Sequence, residues 1–481
     1  MDMNLKKQLD QNQKVLKALL PSDDVIFFDF LIGGKNAVAI YVDSITDRQM
    51  LGLEVLAPIK ESSLRGGIKT VAKSVNSANV KILNTINECA DEILGGSTII
   101  LIDGKNGAIA ADIKKFDVRA IAEPPTELAI KGPRNGFNEC IKTNLSLVRR
   151  YLKTPALKIE MLTCGKFTST GIALMYIDGI TNPDVIKKVR KKIKDFNIDG
   201  IPDSSYISKA LNERKFSLFK QVGSTERPDV LIEKMLEGRV GVLVDGSPFA
   251  LTLPYMLIED FQAAEDYYIS SYRANLVRAL RVAALFFSVF LPAIFVAAQL
   301  FHLQLIPLNF LLTIVNSIKG IPLSPSLEMF FLLLIFEILN ETSVRMPKYV
   351  GMALAVVGAL VLGETAVNAG LVSTPALLIM AMSGISIYTV PELTETTSLL
   401  RFIALIVAGS LGGYGLVVYG AFLICYLCCT ENYGTPYVAP YSPLIANDLQ
   451  DGLYMQEVTS MPYRPVALKS KNKKRQKLNA K

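Results

Sequence analysis

Val282–His302 is a run of 21 residues with no Asp, Glu, Lys or Arg. About 20 such residues let a helix cross the ~30 Å hydrocarbon core of a bilayer. The chain therefore cannot be a uniform water-soluble globule. Its charge is distributed to match. Only four of its 51 basic residues and six of its 44 acidic ones lie between Val282 and Cys429. A polar body is attached to an apolar domain. The opening MDMNLKKQLDQNQKVLKALL has no apolar core ahead of a cleavage site, so it does not read as a signal peptide. That predicts a cytoplasmic N-terminal region. Arg273, Arg278 and Arg281, just ahead of the first span, point the same way under the positive-inside rule.

The polar body repeats itself. AIYVDSIT (Tyr41, Asp43) returns as LMYIDGIT (Tyr176, Asp178), and ILGGSTIILIDG (Asp103) returns as MLEGRVGVLVDG (Asp245). The offsets are 135 and 142, in the same order, which predicts a tandem duplication. The expected fold is an α/β soluble region of two related subdomains followed by an all-α multi-pass transmembrane domain. The segments are an N-terminal segment 1–24, subdomain 1 at 25–120, a connecting helix region 121–154 and subdomain 2 at 155–255. A juxtamembrane helix 256–281, a transmembrane domain 282–429 and a basic cytoplasmic tail 430–481 follow. Four or five spans are expected. Val282–His302, Tyr349–Gly370 and Leu371–Val390 are the candidate spans, and Phe402–Cys429 is long enough to tilt or to break at GSLGGYG. Leu303–Ile318 is short, and Leu327–Val344 carries three acids.

Catalytic signals are lacking. The six cysteines follow neither a disulfide framework nor a metal-ligand spacing, and they read as structural. His302 ends a span without partners, and LIGGKN and DGKNG are not phosphate loops. Asp103 and Asp245 read as turn residues, with ligand contact the lesser alternative. An enzyme is a poor reading, and no metal or other cofactor is indicated. The basic tail has no interleaved aromatics, which disfavours nucleic acid. It suits anionic membrane lipids or a solvated tail equally.

Two membrane elements carry polar groups. Gly351, Ala355, Ala359 and Gly363 recur every four residues, a helix-packing stripe of small residues. Val357, Leu360, Val361, Glu364 and Asn368 project to the other side. Around a symmetry axis this face would give a hydrophobic gate above an acidic ring. The competing reading is a Glu364 hydrogen-bonded between helices, with no ion path. In SLEMFFLLLIFEILNETSVRMP, Glu337, Glu341 and Arg345 share one face at i, i+4, i+8. They read as vestibule or interfacial charges.

Together with EPPTELAIKGPRNGFNECIKTNLSLVRR, STERPD, GRVGVLVDGSPFALTLP and VVGALVLGETAVNAGLVS, that motif resembles the GerA-type spore germination protein family. Specifically, it resembles the A subunit of nutrient germinant receptors. The resemblance covers roughly 25–440 and implies a spore inner-membrane protein with its N-terminal domain cytoplasmic. It further implies a B subunit, transporter-like and nutrient-binding, and a C subunit, a lipoprotein. The A subunits would form a homo-oligomeric ring, a ligand-gated cation channel that triggers germination. Carried over, Val357, Leu360 and Val361 stand near the constriction. Many members carry Gln where this chain has Glu364. Two alternatives stay open: a SpoVAF-like germination amplifier of the same family, and a non-conducting receptor scaffold.

Overall fold

The computed structural model describes residues 4–61, 67–77, 79–115, 124, 127, 131–345 and 363–476. It divides into two units. One holds Met1–Lys215, Gln221–Tyr255 and Thr459–Lys481; the other holds Phe216–Lys220 and Met256–Val458.

The first unit is built twice from one plan. In the first copy the elements are α1 (Leu9–Leu19), β1 (Val25–Ile32), β2 (Lys35–Val42), β3 (Val80–Leu83), α2 (Ile86–Leu94), β4 (Thr98–Ile102) and β5 (Ala108–Ala111). In the second they are α3 (Ile141–Tyr151), β6 (Leu157–Cys164), β7 (Thr170–Ile177), α4 (Pro183–Asp195), α5 (Ser204–Leu211), β8 (Gly223–Thr225), α6 (Pro228–Glu237), β9 (Val240–Val244) and β10 (Ala250–Leu253). The sheets run β1-β2-β4-β5-β3 and β6-β7-β9-β10-β8, the same order. All pairings are antiparallel. Helices pack on both sheet faces, which is why β4 and β9 are buried at every position. In the first copy, Val38, Ile40, Ile99 and Leu101 meet α1 and α2, while Ala37, Ala39, Ile100 and Ile102 meet the helical stretch that holds Leu51, Val55 and Ile59.

Tyr41 faces Ile26 across β1–β2, and Tyr176 faces Lys158 across β6–β7, the same position in each copy. Asp103 and Asp245 likewise follow β4 and β9, but they do more than shape a turn. Asp103 Oδ1 accepts from Leu9 N, the first residue of α1, and Asp245 Oδ1 accepts from Ile141 N, the first residue of α3. Asn12 brackets the backbone of Lys6 as Asn144 brackets that of Asn138. The repeat thus starts at α1 and α3, which the sequence reading left in the N-terminal segment and the connector. Leu9 and Ile141 stand 132 apart. The offset grows to 135 because the β6–β7 turn is three residues longer than the β1–β2 turn, and to 142 beyond β7.

The tail is not free chain. Residues up to Val458 belong to the helical unit, and those from Thr459 to the first. The last turn of α6 leaves carbonyls without intrahelical partners. Arg464 Nε donates to Leu236 O at 2.7 Å and Ser470 Oγ to Glu237 O at 2.9 Å.

The second unit comprises α7 (Ser271–Phe301), α8 (Leu308–Ile318), α9 (Pro325–Arg345), α10 (Thr374–Ile387) and α11 (Thr394–Cys428). Among the described residues, two apolar helical stretches are long enough to cross a membrane, Ser271–Phe301 and Pro391–Cys428. The second is not one rod. Tyr419 Oη donates to Leu400 O at 3.1 Å, whereas 19 residues of straight helix would separate them by about 28 Å. The chain folds back at Gly412, whose φ of 60° and ψ of −148° lie outside the helical region, in a region open essentially to glycine. A Cβ there would come within 2.7 Å of Phe301. The expected break at GSLGGYG is therefore a helical hairpin. The expected span Leu371–Val390 is shorter than the sequence reading placed it. Ser373 caps α10 and Pro375 sits in its first turn, leaving 14 helical residues, about 21 Å.

Two of the three arginines ahead of the first span are ion-paired. Asp266 accepts from Arg278 Nε at 3.0 Å and from Arg281 Nη1 at 2.7 Å, and Asp451 accepts from Arg278 Nη1 at 2.9 Å. Of the three, only Arg273 stays exposed.

Candidate functional site

One polar cluster of the helical unit lies where α9 packs against the first arm of α11. Gly384 of α10 and Gly409 of α11 make this possible, since a Cβ on either would collide with Phe336 or Ser326 of α9. At the contact, Glu337 Oε1 accepts from both Ser398 Oγ and Arg401 Nη2. The Arg401 side chain is 0% exposed and that of Glu337 24%. The guanidinium carbon lies 5.0 Å from the Phe336 ring centre, a cation–π contact that gains strength away from water. Arg401 Nε and Nη1 have no hydrogen-bond partner among the described residues. Breaking a buried pair from one side is costly, because the remaining charge is stranded. The arrangement is a charge latch between two helices.

The three charges on the α9 face are split. Glu337 turns to Arg401, while Glu341 and Arg345 pair with each other at 2.5 Å and remain exposed. Sequence reasoning missed Arg401, Ser398 and Glu328. A lone arginine in an apolar helix must find an acid, and that was the available signal for Arg401. Glu328 is buried, and its Oε1 accepts from Ser373 N at the start of α10, where a helix dipole favours a carboxylate.

Of the small-residue stripe and its opposite face, Gly351, Ala355, Val357, Ala359, Leu360 and Val361 lie outside the described residues. Residues 363–368 are helical and end in a Schellman turn. Leu371 N donates to Ala366 O, and Gly370 N, at φ +65°, to Val367 O. A Cβ on Gly363 would lie 3.5 Å from Leu377 of α10. Glu364 and Asn368 are exposed, one turn apart. His302 ends α7 against Gly413 of the hairpin. A groove of about 810 Å³, lined by Phe286, Phe290, Ile294, Leu400, Leu416 and Ile424 among others, runs between α7 and the hairpin, and no charged residue lines it. Among the described residues no His/Cys/Asp/Glu group could hold a metal ion.

Comparison with known proteins places this architecture. Residues 13–467 match the family model described as Bacillus/Clostridium GerA spore germination protein. The chain belongs to the GerA family. Spore germination protein KA of Bacillus subtilis (strain 168) is 34% identical over 464 residues, 95% of this chain and 85% of that protein. Spore germination protein GerQA of Bacillus cereus is 32% identical, covering 96% and 93%. An uncharacterized membrane protein of Bacillus subtilis, YfkQ, is 32% identical, covering 96% and 92%. Among solved structures, the N-terminal domain of the A subunit of the Bacillus megaterium spore germinant receptor GerK3 aligns with 54% of this chain and 99% of its own. That alignment has a TM-score of 0.43 and 29% identity. The GerA match takes in residues of both units.

Proposed function

We propose that this GerA-family chain is the A subunit of a nutrient germinant receptor in the spore inner membrane. As an oligomeric ring it conducts monovalent cations when nutrient is sensed, alongside a nutrient-binding B subunit and a lipoprotein C subunit. The observation that carries the reading is the family match across residues 13–467. Further support comes from Glu364 and Asn368, which point away from the chain's own packing while Gly363 lies toward α10. Such a face, repeated about an axis, attracts cations below the collar of Val357, Leu360 and Val361. The Glu337–Arg401 latch holds α9, which leads directly into that segment. The protein is not an enzyme in this reading. Exposed Lys469, Lys471, Lys473 and Lys474 meet anionic lipid headgroups.

The test is potassium flux. Full-length chain reconstituted into potassium-loaded vesicles should leak faster with Val361→Ala than without it, and Glu364→Gln should lower cation over anion preference. Oligomers that leave the vesicles sealed in every variant would reject conduction and leave a non-conducting scaffold.

A further inference from the structure

β1 and β6 are the equivalent outer strands of the two sheets, yet their outer edges are treated differently. The two-residue turn between Ile32 and Lys35 fixes which residues bond to β2. Phe28, Phe30 and Ile32 face β2, so Phe27, Asp29 and Leu31 turn their N–H and C=O groups outward. Their counterparts on β6, 132 positions on, are Ile159, Met161 and Thr163.

The β6 edge is occupied. Ile159 N donates to Ser22 Oγ at 3.1 Å, Asp23 N donates to Ile159 O at 3.0 Å, and Met161 N donates to Asp23 Oδ2 at 2.8 Å. Arg149 of α3 secures the same segment. Its Nε and Nη2 each donate to Asp24 at 2.8 Å, and Nη2 also reaches Ser22 Oγ at 3.0 Å. A Ser-Asp-Asp segment from the first copy thus completes the sheet edge of the second.

On β1 the outward backbone groups of Phe27, Asp29 and Leu31 have no partner among the described residues. Phe28 is 43% and Leu31 63% exposed. Lys17 occupies the position of Arg149. It is exposed, its ammonium 5.1 Å from the Phe27 ring centre, and it makes no ion pair among the described residues. Open edges of this kind accept an added extended segment.

We infer that the β1 edge binds an extended acidic segment of a partner protein, with hydroxyl-Asp-Asp character, as Ser22–Asp24 binds β6. The backbone of Phe27 and Asp29 supplies the pairing, and Lys17 takes the second aspartate. The inference is independent of the conduction reading, because it concerns the α/β unit alone.

The probe is a fluorescent peptide carrying residues 20–26 of this chain, titrated against full-length protein in detergent. It should bind. Asp23→Asn with Asp24→Asn in the peptide, and separately Lys17→Glu in the protein, should each weaken binding about tenfold. Asp29→Pro removes one outward N–H without touching the β2 ladder. It should weaken binding as well, although it also removes a negative charge. A peptide that displaced Ser22–Asp24 from β6 would be indifferent to both β1 substitutions. That result, or no binding to the unaltered protein, overturns the inference.

Discussion

Arg149 and Asp24 show how a single pair fixes a large arrangement. Their side chains are 1% and 2% exposed, and they join the two copies of the α/β unit. Arg149→Met should lower stability by roughly 3–5 kcal/mol, because Asp24 would be left buried and unpaired. Urea unfolding checks this, and an unchanged midpoint would mean that the copies hold together without the pair. Tyr176 gives a second handle. Burial first, then its hydrogen bond to Glu160, pushes its hydroxyl up to about 12. A tyrosine unfolds to a pKa near 10. Between those values the folded state keeps a proton that the unfolded state has lost, so stability falls as pH rises through this window. Below pH 10 the contribution is complete. Tyr176→Phe should flatten the alkaline limb of the stability–pH curve. Glu160 behaves in the opposite sense. Burial raises its pKa, but Arg190 and Tyr176 outweigh that and hold it below the usual carboxylate range. Its share of stability is present above the ordinary glutamate pKa and is lost on acidification. An acid limb unmoved by Glu160→Gln would remove that assignment.

Among the elements, the α11 hairpin departs furthest from what hydropathy alone describes. Thr396 Oγ1 donates to Leu218 O, and Leu218 N donates to Tyr426 Oη, so both arms meet at one residue. In a variant cleared of native cysteines, spin labels at Thr396 and Tyr426 should report a short separation. A continuous helix would put them about 45 Å apart, and that distance would refute the hairpin. Gly412→Val should disrupt the fold of this unit, since the new side chain meets Phe301 and the backbone conformation is closed to β-branched residues. The repeated use of Asp103 and Asp245 is also an element-scale fact. Each holds the first turn of a helix about 100 residues away, so the duplicated motif marks a tertiary anchor in both copies.

At the scale of the molecule, the chain leaves the α/β unit at Tyr255 and returns to it at Thr459. The returning strap satisfies the end of α6 and places Lys471 N on Ile180 O at 3.0 Å. Truncation after Val458 should therefore lower the melting temperature of the α/β unit, with Arg464→Ala reproducing much of the loss, on the order of 1–3 kcal/mol for stranded buried groups. Thermal unfolding of the full chain and the two variants checks this. Equal melting temperatures would make the strap a passive tail.

The sequence by itself determined whatever rests on local chemistry. An uncharged run of span length required an apolar domain, and the paired Tyr-Asp and Asp-Gly motifs marked the duplication. The glycines of GSLGGYG marked the break in α11. Only the tertiary structure decided which distant groups meet. Arg401 finds Glu337 64 residues away, Asp24 finds Arg149 across 125, and α1 and α3 prove to be the opening helices of the repeats. The antiparallel sheet order was decided in the same way. These pairings depend on how loops of very different length close, and loop closure leaves no periodic trace in the residues it joins.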